Sequence, residues 1–363
     1  MNSTYIIAEA GVNHNGKPEL AFALIDAAVD AGVNAIKFQT FKAKNIVTAK
    51  ANKSKYQQKA TGSTESQLQM LERLELSFDF HHQLMAYCKK KKIDFLSTAF
   101  DFESLEFLHG ELGLTTLKIP SGELTNAPLV LAHARTQCQL IVSTGMAVLE
   151  EVKESLAIIA YGLLNPDDSD KHKLLTREIF DQAYDSEEGQ KLLKEKVTLL
   201  HCTTEYPALP NDINLKAIDT LASVFSLPVG YSDHSLGVII PVGAVARGAT
   251  LIEKHFTLDK TLDGPDHQAS LEPDELKNMV EAIRVIEKAV GDGVKAPSLA
   301  ELANKEAARK SLVAEKDIEK GEKYSEANLA IKRPGGGMSP INYWRLLGRV
   351  ATARVRAGDY IND

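Results

Sequence analysis

The chain of 363 residues carries 44% hydrophobic and 25% charged residues, the make-up of a soluble globular protein with room for one large domain and a small one. A net charge of −7 disfavours nucleic acid or an anionic membrane surface as partner, so an anionic ligand would need a local basic pocket. The N-terminus MNSTYIIAEAG runs into a strand without a basic, apolar leader, no apolar run reaches membrane-spanning length, and Cys88, Cys138 and Cys202 are too few and scattered for a disulfide framework or zinc knuckle; a cytoplasmic protein with packed free thiols is expected.

Strand-like and helix-like patterns alternate from residue 5 to about residue 290. Strands are predicted at 5–9, 35–39, 94–98, 116–120, 140–144, 197–202, 229–232 and 250–255. Helices are predicted at 17–31, 80–92, 102–108, 127–134, 149–161, 215–225, 237–247 and 273–290. This α/β alternation over such a length favours a closed (β/α)8 TIM barrel over an open sheet. Two insertions interrupt it: 42–78 after the second strand, and 162–195, a charged segment before the sixth strand that is expected to be peripheral.

Gly291, Asp292 and Gly293 end the last of these helices, and Ser298 with Glu301 forms a capping box that opens a short helix to about Lys310. From Ser311 onward come short strand and turn pieces. DIEKGEKYS and RVRAGDYIN share an apolar residue, a glycine and then an aromatic, which predicts two similar hairpins in a compact β-rich module. The expected domains are therefore a barrel over 1–290, a linker with a short helix over 291–310, and a small β domain over 311–363. Gly335, Gly336 and Gly337 fit a loop in close approach to something, or equally an exposed turn.

The stretch from Tyr231 to His267 concentrates the chemistry. His234 and His255 each close a β-like run, LPVGYSDH and ATLIEKHF, around a segment with the small and apolar residues of a packed helix. Neighbouring parallel strands lie about 4.8 Å apart, so two imidazoles at adjacent strand ends can reach one metal ion. A lone histidine is more often a hydrogen-bonded structural group. Here Ser232, Asp233, Glu253 and the motif GPDH bring further ionisable groups to the same place.

In a barrel, the C-terminal strand ends carry the chemistry. In chain order these ends offer Glu9 with Asn13 and His14; Lys37 and Gln39; Thr98; Lys118, Ser121 and Glu123; Ser143 and Thr144; His201, Thr203, Thr204 and Tyr206; Ser232 and His234; and Glu253 and His255. Such groups are costly to bury unless they bind something. Ser143-Thr144-Gly145 also fits a plain turn, Lys37 a snorkelling chain, and the serines simple helix caps.

The motifs IAEAGVNHNG, AIKFQTF, FLSTAF, LKIPSGE, IVSTGM, LLHCTTEYP, GYSDHS, IEKHFT, GPDH and IKRPGGG, in this order over nearly the whole chain, resemble those of the sialic acid synthases. These enzymes condense phosphoenolpyruvate with an amino sugar to give nonulosonic acids. The resemblance implies a barrel followed by an antifreeze-like SAF domain, with His234 and His255 holding a divalent metal, manganese first and magnesium or cobalt as alternatives. It places Lys37, Thr98, Lys118, Ser121, Ser143, Thr204 and Ser232 around phosphoenolpyruvate. On the acceptor side it places Glu9, Gln39, Glu123, Tyr206 and Asp266, and it assigns Arg333 to the arginine supplied by the C-terminal domain. Glu9 is the candidate base. Thr204 and Ser63 stand where some members have asparagine, the second near the sugar.

The resemblance points first to N-acetylmannosamine as acceptor. IAEAGVNHNG and FLSTAFD also resemble the legionaminate branch, which takes a 2,4-diacetamido-2,4,6-trideoxymannose. The last barrel helix should run away from the catalytic end, so Arg333 must climb back or cross to a neighbour. The resemblance implies the second route, a domain-swapped homodimer. Competing readings are a Schiff-base aldolase working through Lys118 and a non-enzymatic sugar- or ice-binding protein.

Overall fold

A computed structural model of the chain describes residues 3–54, 57–58, 65–167 and 174–363. Eight parallel strands close into a barrel: β1 (Tyr5–Gly11), β2 (Ala35–Thr40), β3 (Asp94–Ala99), β4 (Thr116–Ile119), β5 (Gln139–Ser143), β6 (Val197–Cys202), β7 (Val229–Asp233) and β8 (Leu251–His255). β8 returns to β1 in a register running from Tyr5 opposite Leu251 to Glu9 opposite His255. The TIM barrel expected from the alternation is therefore the fold.

Strand parity explains what faces the barrel axis. Ile6, Ala8, Ile36, Phe38, Leu117, Val142 and Ile252 pack outward in the core shared with the helices. Ile7, Ala35, Leu96, Ile141, Leu200 and Leu251 form a separate apolar cluster inside the barrel. Side chains repeat their direction every second residue, so the residues two positions on also point inward: Glu9, Lys37, Thr98, Ser143, Cys202 and Glu253. An apolar plug thus sits directly beneath a polar ring.

The connecting segments follow local signals. Ser77 caps the helix Phe78–Lys91 through the Phe80 amide at 3.2 Å, and Asp101 caps the helix Phe102–Glu106 through the Ser104 amide at 2.9 Å. Where one helix was expected over 102–108, the chain widens into a π turn at Phe107–Glu111. There Phe107 is buried and stacks on Phe78, with centroids 4.0 Å apart.

The insertion between β2 and β3 contributes the helices Ala43–Ile46 and Gln67–Leu74, the latter opened by a Ser66/Gln69 capping box. Its Met70 and Leu74 form a small apolar cluster with Val12 and Phe41. The segment before β6 is less peripheral than its charge suggested. Its helix Arg177–Asp185 packs Ile179, Phe180 and Tyr184 onto the main core, because those residues fall on one helical face, and the helix Glu187–Lys196 adds Leu192 and Leu193.

The chain divides into two compact units, Met1–Gly291 and Asp292–Asp363. The second begins with the helix Leu299–Ala308, whose Ser298/Glu301 capping box is present. It holds an antiparallel pair, β9 (Ser311–Ala314) and β10 (Leu329–Lys332), around Leu312, Ile318, Tyr324, Leu329 and Ile361. The two expected hairpins do not form. Ile318 bridges Val355 and Lys323 bridges Val350, so each turn pairs with distant chain instead of with itself. The glycine run does make a close approach: a Cβ on Gly337 would lie 2.6 Å from the Tyr360 ring. Among the described residues no helix is long and apolar enough to cross a membrane.

Candidate active site

One cavity of about 330 Å³ opens among the C-terminal strand ends. Glu9, Lys37, Gln39, Thr98, Lys118, Ser121, Glu123, Ser143, Thr204, Tyr206, Ser232, His234, His255 and Asp266 all line it. Register levels them: Glu9 lies opposite Lys37 and His255, Gln39 opposite Thr98, Thr98 opposite Lys118, and Ser232 opposite Glu253.

The floor is a buried quartet of alternating charge. The Lys37 Nζ is 2.5 Å from Glu9 and 3.7 Å from Glu253, and it donates to Thr98 Oγ1 at 2.8 Å. Lys118 donates to both oxygens of Glu253, at 2.8 and 3.1 Å, and Ser232 donates to the first of them at 2.9 Å. Burial alone would raise Glu253, yet Lys118 and Lys37 hold its carboxyl well below the usual range. Burial would lower the Lys37 ammonium, but Glu253 and Glu9 carry it above the ordinary lysine value. Glu9 differs. Its burial outweighs the Lys37 charge and pushes the carboxyl up to about 7.

Beside the quartet stand the two histidines, ring centroids 5.6 Å apart, with Tyr206 stacked on His234 at 4.0 Å. The His234 Nδ1 lies 2.7 Å from the Thr203 carbonyl, which fixes that nitrogen as a donor and keeps Nε2 for a ligand. The buried Nδ1 of His255 has no partner among the described residues. Burial first, then the nearby His234 and Lys37, keep His255 well below the ordinary histidine value, so it is neutral. Burial would lower His234, but Cys202 and the Thr203 carbonyl carry it above the ordinary histidine value. With that proton displaced, His234 and the orphaned His255 suit a divalent ion that takes nitrogen ligands and completes its shell with substrate or water. Among the described residues no group of three or more His, Cys, Asp or Glu is arranged to hold a metal. Asp266, pushed up to about 6 chiefly by burial, also faces the cavity.

On the opposite wall Ser121 Oγ accepts from the Gly145 amide at 3.0 Å, and the buried Ser143 hydroxyl has no partner among the described residues. A Cβ on Gly145 would lie 2.3 Å from Thr204 Oγ1 and 2.7 Å from Ser121 Oγ. Gly145 thus keeps the Thr204 and Ser121 hydroxyls open to a ligand. Gly11, at φ +52°, plays a similar part across the mouth, where a Cβ would crowd His255 and Glu9.

Several strand-end residues do not reach the cavity. Asn13 is spent on the Phe256 carbonyl and Ser270, at 2.8 and 2.9 Å. His14 accepts the Gly16 amide, Thr144 donates to the Leu200 carbonyl, and the His201 ring is 2.6 Å from the Ile213 carbonyl. Arg333 belongs to the second unit, where it is exposed and its Nε donates to the Ala308 carbonyl at 3.1 Å. Ser63 lies outside the described residues.

Two features exceed the expectations. Cys202, expected to be a packed thiol, is buried but lines the cavity, its Sγ 3.8 Å from His234 Nδ1. Its position two residues after Leu200 is the signal that could have shown this. Glu253, read only as one more strand-end acid, joins β8 to both lysines of the floor.

The NeuB family model matches residues 24–295 and the SAF domain model residues 309–363. The chain is 48% identical to the N,N'-diacetyllegionaminic acid synthase of Campylobacter jejuni, over all of both chains. It is 42% identical to the N,N'-diacetyllegionaminic acid synthase of Legionella pneumophila, over 98% of this chain and 92% of that one. Among solved structures, the N-acetylneuraminic acid synthetase of Leptospira borgpetersenii in complex with citrate aligns with a TM-score of 0.66 and 34% identity, covering 84% of this chain and 90% of that one.

Proposed function

The chain belongs to the NeuB family, and from that premise we propose that it is a nonulosonic acid synthase whose acceptor is 2,4-diacetamido-2,4,6-trideoxymannose. Of the two acceptors weighed from the sequence, the second is favoured, because the relative similar over its full length makes N,N'-diacetyllegionaminic acid. The observation that carries the reaction type is the buried Glu9–Lys37–Glu253–Lys118 quartet beside two imidazoles 5.6 Å apart. Phosphoenolpyruvate brings a phosphate and a carboxylate, and two desolvated lysines with the hydroxyls of Thr98, Ser121, Ser143, Thr204 and Ser232 match both by charge-assisted hydrogen bonds.

In the proposed reaction, C3 of phosphoenolpyruvate attacks the aldehyde carbon of the open-chain sugar. Water adds at C2, and phosphate departs with the bridging oxygen, so the C–O bond breaks. Glu9 takes the proton of that water or of a sugar hydroxyl. Gln39, Glu123, Tyr206 and Asp266 orient the sugar. A divalent ion held by His234 and His255, manganese first, supplies Lewis-acid polarisation of the aldehyde when bound. Arg333 is assigned, from the resemblance, to the mouth of a neighbouring copy in a domain-swapped homodimer.

The test is phosphate release from phosphoenolpyruvate with the diacetamido-trideoxy sugar, N-acetylmannosamine and the pseudaminate precursor. Turnover should be fastest with the first, vanish on chelation and return with manganese. Phosphoenolpyruvate labelled at the bridging oxygen should deliver the label to phosphate. Chelator-resistant turnover would remove the histidine site from the reaction, and trapping of pyruvate on Lys118 by borohydride would replace the reading with a Schiff-base aldolase.

A further inference from the structure

The cavity has two unlike halves, and the chemistry above uses only the charged one. On the β2 and β3 side, Phe41 and Phe100 follow the strand ends, and the insertion between these strands adds Ile46, Val47, Met70 and Leu71. All six line the same cavity as Glu9 and Lys37. Phe41 and Met70 are buried at 3% and 1% exposure, whereas Ile46, Val47, Leu71 and Phe100 are half-buried. The annex is therefore a backed apolar wall, with Phe41 set edge-on to Phe100 at 6.2 Å, rather than a few loose side chains.

Its place relative to the reacting end is fixed. His234 directly follows β7 and His255 ends β8, whereas the annex rises from β2 and β3. From β8 to β2 is two strand spacings, each about 4.8 Å, a distance that an open six-carbon chain with its substituents bridges. With the aldehyde at the histidines, the far end of the sugar meets the annex. Gln39 and Gln67 share the lining and offer amide groups to acetamido substituents. A terminal hydroxymethyl would turn its hydroxyl toward the apolar wall. A terminal methyl would not.

We propose that this annex is the specificity element for the non-reacting end of the acceptor, selecting a sugar whose C6 is a methyl group over one whose C6 is a hydroxymethyl. The inference rests on the nonulosonate-synthase reading and deepens it, by assigning the choice of the 6-deoxy sugar to Ile46, Val47 and Leu71.

The experiment compares kcat/KM for 2,4-diacetamido-2,4,6-trideoxymannose and its 6-hydroxy counterpart, which differ only at C6. An apolar pocket discriminates against an added hydroxyl by about a hundredfold, and the wild-type protein should show a preference of that order. The variant Val47→Thr/Leu71→Gln should lower the ratio by about tenfold or more, leaving KM for phosphoenolpyruvate unchanged. Ile46→Thr alone, half-buried at the end of a short helix, gives a second reading should the double variant misfold. A wild-type ratio near one, or a ratio unchanged in an active variant, overturns the annex assignment alone. No phosphate release from wild-type protein with any of the sugars overturns the synthase reading and the annex assignment together.

Discussion

Removing the Lys254 ammonium should destabilise the barrel. Its Nζ, fully buried, lies 2.6 Å from Asp233 Oδ2 and also donates to the Ser235 carbonyl. In Lys254→Met the Asp233 carboxylate, itself fully buried, keeps only neutral donors: the Tyr231 hydroxyl at 3.0 Å and the Ser235 amide at 2.9 Å. Breaking a buried pair in this way costs about 3–5 kcal/mol. An unfolding entropy of about 2.1 cal/mol/K per residue over the unit Met1–Gly291 gives about 0.6 kcal/mol/K, so Tm should fall by about 5–8 °C. Scanning calorimetry at one pH on wild type, Lys254→Met and Lys254→Met/Asp233→Asn checks this, and the double variant should recover more than half of the loss because no unpaired charge remains. A single variant melting within about 2 °C of wild type, well under the expected loss, would refute the reasoning. So would a double variant less stable than the single one.

Gly145→Ala should raise KM for phosphoenolpyruvate by about tenfold, equivalent to 1.4 kcal/mol of binding, since the new methyl displaces Thr204 and Ser121. Gly122→Ala, whose Cβ meets nothing within 4 Å in the same cavity, should bind normally, and equal effects in the two would dissociate the hydroxyl cluster from the phosphate. Arg333→Ala and Glu9→Ala, each nearly inactive alone, should recover partial activity when refolded together. One site of a mixed dimer then joins an intact barrel to an intact small unit, and verified mixed dimers that stay inactive would place Arg333 in its own chain's site.

The barrel was legible because period-two patterns end in polar residues at a fixed interval after apolar ones: Ile7 then Glu9, Ala35 then Lys37, Leu251 then Glu253. Parallel strands share one polarity, so these endings meet in one mouth whatever the loops do. What stayed hidden depends on which strands face each other across the barrel. Lys118 on β4 and Glu253 on β8 sit on opposite sides of the closed ring, 135 positions apart in the chain, and no local pattern links them. The hairpins failed for the same reason. DIEKGEKYS and RVRAGDYIN hold real turns, but Ile318 and Val355 pair with each other, a choice made by the packing of the small unit. The annex escaped notice because its residues read as an insertion, and only folding brings Met70 and Leu71 to Phe41.

The two lysines of the floor are already occupied before any ligand arrives. Glu253 is a tethered anion, whose effective concentration at Lys118 and Lys37 is set by the barrel and not by the solution, and Glu9 joins it at Lys37 when ionised. On the proposed reading an incoming dianion would therefore trade places with a resident carboxylate, and a departing one would be replaced at once. The mouth would then work as a built-in ion exchanger: free phosphate would gain little by entering, and product phosphate would be displaced by partners that never left.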